Sequence, residues 1–508
     1  MSSNSRRARG GTSSFLLAAA FAPALGAAAL RGSIVDNFSG RPLARALVSL
    51  EQLQGLGVKK LATRTSSAGS FAFSSLGAGV YLLTASQVGF ATFKYGQKAW
   101  NAPGTPIVLE QEAAQFLQIR LRRLGGITGV IWDENDVGFP HVEVVACKAT
   151  RPPKIAARAR SDDRGVFRIG ELEPGEYLVR SGAKQLEDGA GLLPTFHQEV
   201  QRVEEARVVE VHLEEDTPDV IVRPAFGKLF RLSGTTAPPG PVTVTLSSDM
   251  MRVTSEGGAF RFDGLPPGPY EIHAAGRDFR GAPAGDWQEL RLDRDLEGLV
   301  LSVRRGADLR LSVETQDGAP VDSGKVRVAL RKKDLYGEGE EVSPVSGKEN
   351  VIAPGRWEIK AWPTPEYYAW GIGAPGRRSR RLPHADRWEE IRISPLSFAR
   401  VEVVLSAKPA VVRGRVSRSL GEPAAGTPVF LEAIDSGTGR RIAEPRFTYA
   451  GPQGEYRFSG VPPGQYRIVS TFEFDYPDER AMEAAKTRTL VITEGSDNPV
   501  DLDLYVRP

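Results

Sequence analysis

The stretch Gly69-Ser70-Phe71-Ala72-Phe73-Ser74-Ser75-Leu76-Gly77-Ala78-Gly79-Val80-Tyr81 decides the fold, because the chain repeats it. It returns from Gly165 to Tyr177 (GVFRIGELEPGEY), from Gly258 to Tyr270 (GAFRFDGLPPGPY) and from Gly454 to Tyr466 (GEYRFSGVPPGQY). A worn copy survives as Ala353-Pro354-Gly355-Arg356-Trp357. The second glycines, at 79, 175, 268, 355 and 464, are spaced by 96, 93, 87 and 109 residues. Four matches at one internal spacing identify a tandem repeat.

Phe71 and Phe73 stand two apart, so they point to one face of a strand and can enter a core. A Pro-Gly pair follows, suited to a tight turn, and the aromatic two residues later opens the next strand. Strand, turn, strand predicts a hairpin. Upstream, each copy carries a second expected hairpin around a glycine and proline: Gly40-Arg41-Pro42, Gly138-Phe139-Pro140, Gly240-Pro241, Gly318-Ala319-Pro320 and Gly421-Glu422-Pro423. A closing apolar strand ends most copies, as in Phe116–Leu121 or Val401–Leu405. Six or seven short strands in roughly 95 residues is the size of a two-layer sandwich.

Preceded by Gly-x-Pro, the Gly-x-Phe-x-Phe-x-x-Leu-x-Pro-Gly-x-Tyr signature resembles that of carboxypeptidase regulatory-like domains, whose fold is transthyretin- or prealbumin-like. The resemblance is strong in the first, second and fifth copies, looser in the third and weakest in the fourth. It implies accessory modules that flank enzymes, receptors and adhesins and share their sandwich with starch-binding domains. Some surface relatives carry a Lys–Asn crosslink, but first strands such as Leu30–Val35 and Val411–Val416 lack the lysine. Fold does not fix function.

Composition agrees with an all-β array. Of 508 residues 54 are Gly and 36 Pro, yet 41% are hydrophobic, too many for a disordered chain. The single cysteine, Cys147, excludes an internal disulfide framework and a four-thiolate metal site, and alternation makes it a small core residue. With five histidines and no His-Glu-x-x-His pattern, a metallohydrolase is not expected. No nucleophile elbow, phosphate loop or dinucleotide fingerprint is present, so no enzyme and no cofactor is expected.

Arg6, Arg7 and Arg9 precede an uncharged run from Phe15 to Leu25 that ends in small residues through Ala29. That is the pattern of a secretory signal peptide, and the run is too short for a membrane span. Without those arginines the charges balance, at 62 basic and 62 acidic residues, leaving no electrostatic case for nucleic acid or an anionic membrane. Export to the periplasm or cell surface is expected.

The boundaries expected are a signal peptide over 1–29, then sandwiches over 30–124, 125–225, 226–307, 308–408 and 409–508, forming a monomeric rod with short linkers. The fourth unit holds the most unusual cluster: Trp357, Trp362, Tyr367, Tyr368, Trp370 and Trp388, followed by Arg377, Arg378, Arg380, Arg381, His384 and Arg387. Sugars stack their C–H faces on aromatic rings, so Trp362, Tyr367, Tyr368 and Trp370, with Arg377 and Arg378, are the candidate ligand residues. Trp357 alternates with Ile359 and Ala361 and is expected in the core, whereas Trp362 has the outward phase and Trp370 sits in a loop-like stretch. Asp133 to Asp136 and Asp162-Asp163 read as turn residues rather than calcium ligands. The function expected is a non-catalytic exported binding or adhesion protein, with carbohydrate the leading ligand. The alternative is a spacer or protein-interaction scaffold of the cell envelope.

Overall fold

Alternation sets the strands of the first unit: β1 (Ala28–Asp36), β2 (Leu47–Gln52), β3 (Lys60–Arg64), β4 (Ser70–Leu76), β5 (Gly79–Ser86), β6 (Phe93–Lys94), β7 (Ile107–Leu109) and β8 (Ala114–Leu121). They come from a computed structural model describing residues 28–506 except 54–59, 99, 101, 151–152, 187–189, 249–250, 323, 336–337, 345–348, 374–387, 419–420, 475–476, 478 and 486. Along β4 Phe71 and Phe73 are buried, as period two requires, and Leu76 joins them after a bulge at Ser75 that shifts the phase by one residue. Along β5 they include Tyr81, Leu83 and Ala85. These side chains meet Leu30, Ile34, Val48, Leu50 and Ile119 in one core between two sheets. The leader, other than Ala28 and Ala29, lies outside the described residues, and those two alanines already belong to β1.

The pairing departs from both expected hairpins. Strand β4 pairs with β1, and β5 pairs with β2, in the other sheet. The motif turn therefore carries the chain across the sandwich, and so does the glycine-proline turn between β1 and β2. The consecutive strands that do pair antiparallel in this unit are β2 with β3 and β5 with β6. Both turns lie between strands whose inward faces oppose each other, which gives the same alternation as a hairpin and hides the difference from a sequence. The closing strand β8 runs parallel to β1, not antiparallel. The same order recurs in every unit: the motif strand and the closing strand flank the first strand, with Val166–Leu172, Gly125–Ile131 and Asp216–Val222 as the second example. The architecture is a tandem array of all-β sandwiches of prealbumin-like order.

A glycine lets the parallel strand approach. A Cβ on Gly129 would lie 1.9 Å from the Val220 carbonyl oxygen and 2.7 Å from the Phe167 ring. Gly32, Gly234 and Gly414 are caught in the same way, at 2.3, 2.0 and 1.8 Å from a closing-strand carbonyl oxygen. In the fourth unit Leu311 takes this place, and that copy has lost the Phe-x-Phe pair.

Joints are short: three residues separate β8 from the strand beginning at Gly125, and three separate Phe398–Ser406 from Ala410–Ser417. Phe226–Gly227 pairs with Gly191–Leu192 of the second unit, so that unit extends past the boundary expected at 225. An extended rod would hold the first and fifth units apart, yet they touch. Lys98 Nζ lies 3.7 Å from Glu473 Oε1, and a Cβ on Gly426 would lie 2.2 Å from the Pro106 ring. Short joints fix the angle at every step, and these angles curl the array until its ends meet.

The motif aromatic has a second role that alternation does not reveal. Tyr81, Tyr177, Tyr270 and Tyr466 each donate the phenolic hydrogen to the carbonyl four residues earlier, always at 2.8 Å. Trp357 does the same with its indole N–H, to Ala353 at 2.9 Å. Burial pushes the Tyr177 hydroxyl up to about 12, with the nearby Glu173 charge adding to it, so the donor stays protonated throughout the ordinary pH range. Replacing Tyr177 by Phe keeps the ring and removes this bond. Urea unfolding of Tyr177→Phe should show a loss of about 1 kcal/mol in the second unit.

Candidate functional site

The aromatic residues of the fourth unit do not form one platform. Tyr368 is buried in the core at 4% exposure, and Tyr367 and Trp370 pack against that core from its edge. Trp370 lies within the strand Tyr368–Gly373, not in a loop. Trp357 is buried, as alternation predicts. Trp362 takes the outward phase and meets Trp388 edge to face, ring centres 5.5 Å apart. Arg377 and Arg378, with Arg380, Arg381, His384 and Arg387, lie outside the described residues.

Cations lie over the rings of the Trp362–Trp388 pair. The Arg327 guanidinium stands 4.1 Å from the Trp362 centroid, Lys360 5.4 Å from it, and Arg331 4.2 Å from that of Trp388. Glu358 accepts from Arg331 at 2.8 Å and from Lys333 at 2.6 Å on the same sheet face. Burial pushes its carboxyl up, but those two cations outweigh burial and hold it below its usual value. A sugar would have to displace guanidinium groups to stack here.

A cleft of about 410 Å³ opens between the second and third units. Arg158, Arg180 and Arg202 line one side, and Pro266, Pro267 and Tyr270 of the third motif line the other. Its charges are already engaged locally: Arg158 pairs with Glu143 at 2.9 Å, and Arg202 lies 3.7 Å from Glu204 and Glu205. Below the outer face Cys147 packs with Val145, Leu178 and Phe196, and burial pushes its thiol up. It is a core residue of low reactivity.

The residues that composition and motif missed are acidic ones at the joints. Glu494 of the fifth unit accepts from Tyr368 at 3.1 Å and also from Ser406, both in the fourth. Glu271 of the third unit, 1% exposed, lies 2.7 Å from Arg356 Nη2 and accepts from the Leu335 N–H at 3.1 Å, both in the fourth. Asp334 of the fourth unit pairs with Arg252 of the third at 2.7 Å. Glu214 of the second unit accepts from Arg122 at 3.0 Å and Asn37 at 3.2 Å in and beside the first. A single carboxylate, in a loop or on the outer face of a strand as Glu271 is, carries no pattern that a sequence could betray. Asp133 and Asp162 do close turns, each accepting backbone N–H groups at 2.8–3.0 Å. Among the described residues no three His, Cys, Asp or Glu side chains gather for a metal. None of the described helices is long and apolar enough to cross a membrane.

Residues 29–121 match the family of carboxypeptidase regulatory-like domains. The first unit is a carboxypeptidase regulatory-like domain. Comparison with curated proteins finds no match. Among solved structures, the chain is similar to the minor pilin GBS52 of Streptococcus agalactiae, with 13% identity over 39% of this chain and 94% of the pilin, TM-score 0.26. It is similar also to the shaft pilin SpaA of Lactobacillus rhamnosus GG, with 11% identity over 39% and 97%, TM-score 0.22. A third is the major pilin BcpA of Bacillus cereus, with 13% identity over 75% and 99%, TM-score 0.15.

The carboxypeptidase regulatory-like domain ends at a charged joint. Asp36, 3% exposed, accepts from Arg123 at 2.8 Å, from Ser39 Oγ at 2.8 Å and from the Phe38 N–H at 3.0 Å. Burial pushes its carboxyl up, but these donors outweigh burial and hold it at about 2, against 3.8 for a free side chain. A depressed carboxylate stabilises the fold above its unfolded value and loses that contribution as pH falls through the folded one. The domain should therefore lose stability between pH 3.8 and about 2. Asp36→Asn should lower stability at neutral pH by about 1 kcal/mol, because Arg123 is half-exposed and solvent screens the pair. Acid titration of unfolding should show this component flattened in the variant.

Proposed function

We propose that this chain is a non-catalytic, exported scaffold of the cell envelope, whose five sandwiches are held in a fixed curl to present protein-binding surfaces. One observation supports this reading most: acidic groups bridge consecutive units, half-buried Glu214 at the first joint, buried Glu271 at the third and the more exposed Glu494 at the fourth. Flexible linkers would not need such groups, since burying a carboxylate is costly unless a partner fixes it. Export rests on the leader pattern within residues 1–29.

Small-angle scattering on the chain lacking its leader tests the reading. A single narrow size distribution is expected, and a double variant, Glu271→Ala with Glu494→Ala, should broaden it and open the joints near 306 and 408 to protease. If the unaltered chain already scatters as freely jointed domains, the scaffold reading fails.

Carbohydrate binding stands as the second reading, favoured by the Trp362–Trp388 pair on an outer sheet face. A polysaccharide panel with Trp362→Ala and Trp388→Ala separates the two. The scaffold reading expects no saturable binding. Binding at least tenfold weaker in either variant would establish a glycan site on the fourth unit.

A further inference from the structure

The joint between the third and fourth units gathers more hydrogen-bond donors than it can satisfy. Strand Gly268–Arg277 turns Tyr270, Ile272 and Ala274 into the core and leaves Glu271 and His273 on its outer face, where the fourth unit covers them. His273 is 3% exposed, stacks on Trp287 of the neighbouring strand at 6.5 Å, and lies 3.6 Å from Glu271, beyond hydrogen-bond reach. Both His273 ring nitrogens, Trp287 Nε1 and Arg356 Nε are shielded from solvent without a hydrogen-bond partner, and so is one acceptor, Glu271 Oε1, which faces Arg356 as an ion pair; donors still outnumber acceptors. From the other side comes Lys332. A Cβ on Gly355 would lie 3.2 Å from Lys332 Cε and 3.9 Å from both Lys332 Nζ and His273 Nδ1. The absent side chain of Gly355 thus marks a small space flanked by an ammonium and an imidazole.

Charge points the same way. Arg356 is taken by Glu271 and Arg252 by Asp334, at 2.7 Å each, so Lys332 makes no direct ion pair with either, though both carboxylates favour its charged form from a distance. Glu289, opposite Glu271, is exposed. Burial pushes both Lys332 and His273 towards their neutral forms. Indole and guanidinium N–H groups can only donate, so what would satisfy them is an acceptor. A shielded donor left unpaired costs about 1–3 kcal/mol.

We propose that the joint between the third and fourth units binds a small monovalent anion of the halide class, held by the Lys332 ammonium and the His273 imidazole N–H beside Gly355. The site goes beyond the scaffold reading and does not rest on it. An anion bound there bridges the two units and stabilises their docked arrangement by mass action.

The intact chain is unfolded by heat at neutral pH and fixed ionic strength in sodium bromide, chloride or gluconate, and crystals grown in bromide are measured at the bromine edge. Halide should raise the transition midpoint saturably by roughly 5 °C over gluconate. Lys332→Met, which keeps the aliphatic stem, should abolish that rise, and a bromine peak should lie between Lys332 Nζ and His273 Nδ1. No halide-specific rise, or a rise that survives Lys332→Met, overturns the proposal. Should that variant not fold, the crystals of the unaltered chain decide alone, a bromine peak at that position supporting the site and its absence refuting it.

Discussion

One hydrogen bond fixes the shape of every unit. The aromatic that follows the motif glycine reaches back four residues and donates to a carbonyl on the arm of the turn that precedes it. That bond closes the turn into an arch. The strand before it then joins one sheet and the strand after it joins the other, with the ring itself in the core. A hairpin would leave the aromatic no such carbonyl to reach, since the two strands would pair with each other. Trp357 shows what is required: in the most degraded copy the phenol is gone, but an indole N–H at 2.9 Å does the same work. A buried donor and a large ring are the constraint, and tyrosine is one way to meet it.

The arch explains which parts of the fold are legible in the sequence. Alternation reports only which face of a strand is buried, and Phe71, Phe73, Tyr81, Leu83 and Ala85 are buried as their spacing predicts. It does not report which neighbour supplies the hydrogen bonds. A hairpin and a cross-sheet arch bury the same residues, so the pairing had to come from the structure. The parallel closing strand is hidden for the same reason. Its trace is the glycine at 32, 129, 234 and 414, two residues beyond an apolar core position in the first strand of each unit, where any Cβ would strike a carbonyl oxygen. That trace stands in the sequence but only acquires meaning once a third strand is known to lie against it. The paired change in the fourth unit, Leu311 for glycine and no Phe-x-Phe, is what a shared volume demands.

The candidate site is less legible, because an unusual run of aromatic residues does not report which of them is exposed. Residues clustered along a chain alternate between faces once the chain is a strand. Tyr368 enters the core, Tyr367 just before the strand lies at its edge, and a register shift between Ala369 and Gly371 takes Trp370 to the edge as well, while Trp362 has the outward phase. The outward pair draws cations from adjacent strands, Arg327 and Lys360 over one ring and Arg331 over the other. Such stacks bury the aliphatic stems of long cations and cover aromatic surface that water would otherwise touch.

Acidic side chains at the joints carry the arrangement that repeats cannot. A tandem array of similar units has no intrinsic reason to hold one angle, since each core is complete by itself. Apolar contact between neighbours would add affinity with little preference for orientation. Charged groups differ, because a shielded carboxylate is tolerable only where its partners stand at the right distance and direction. Glu271 meets Arg356 and the Leu335 N–H together in one geometry, and Glu494 meets Tyr368 and Ser406 together in one. Displacing the third unit from the fourth by a few ångströms would strand the buried charge of Glu271, whereas the exposed Glu494 would exchange its two hydrogen bonds for water. The curl that brings Pro106 against Gly426 follows from several such joints acting in series, each permitting a single angle.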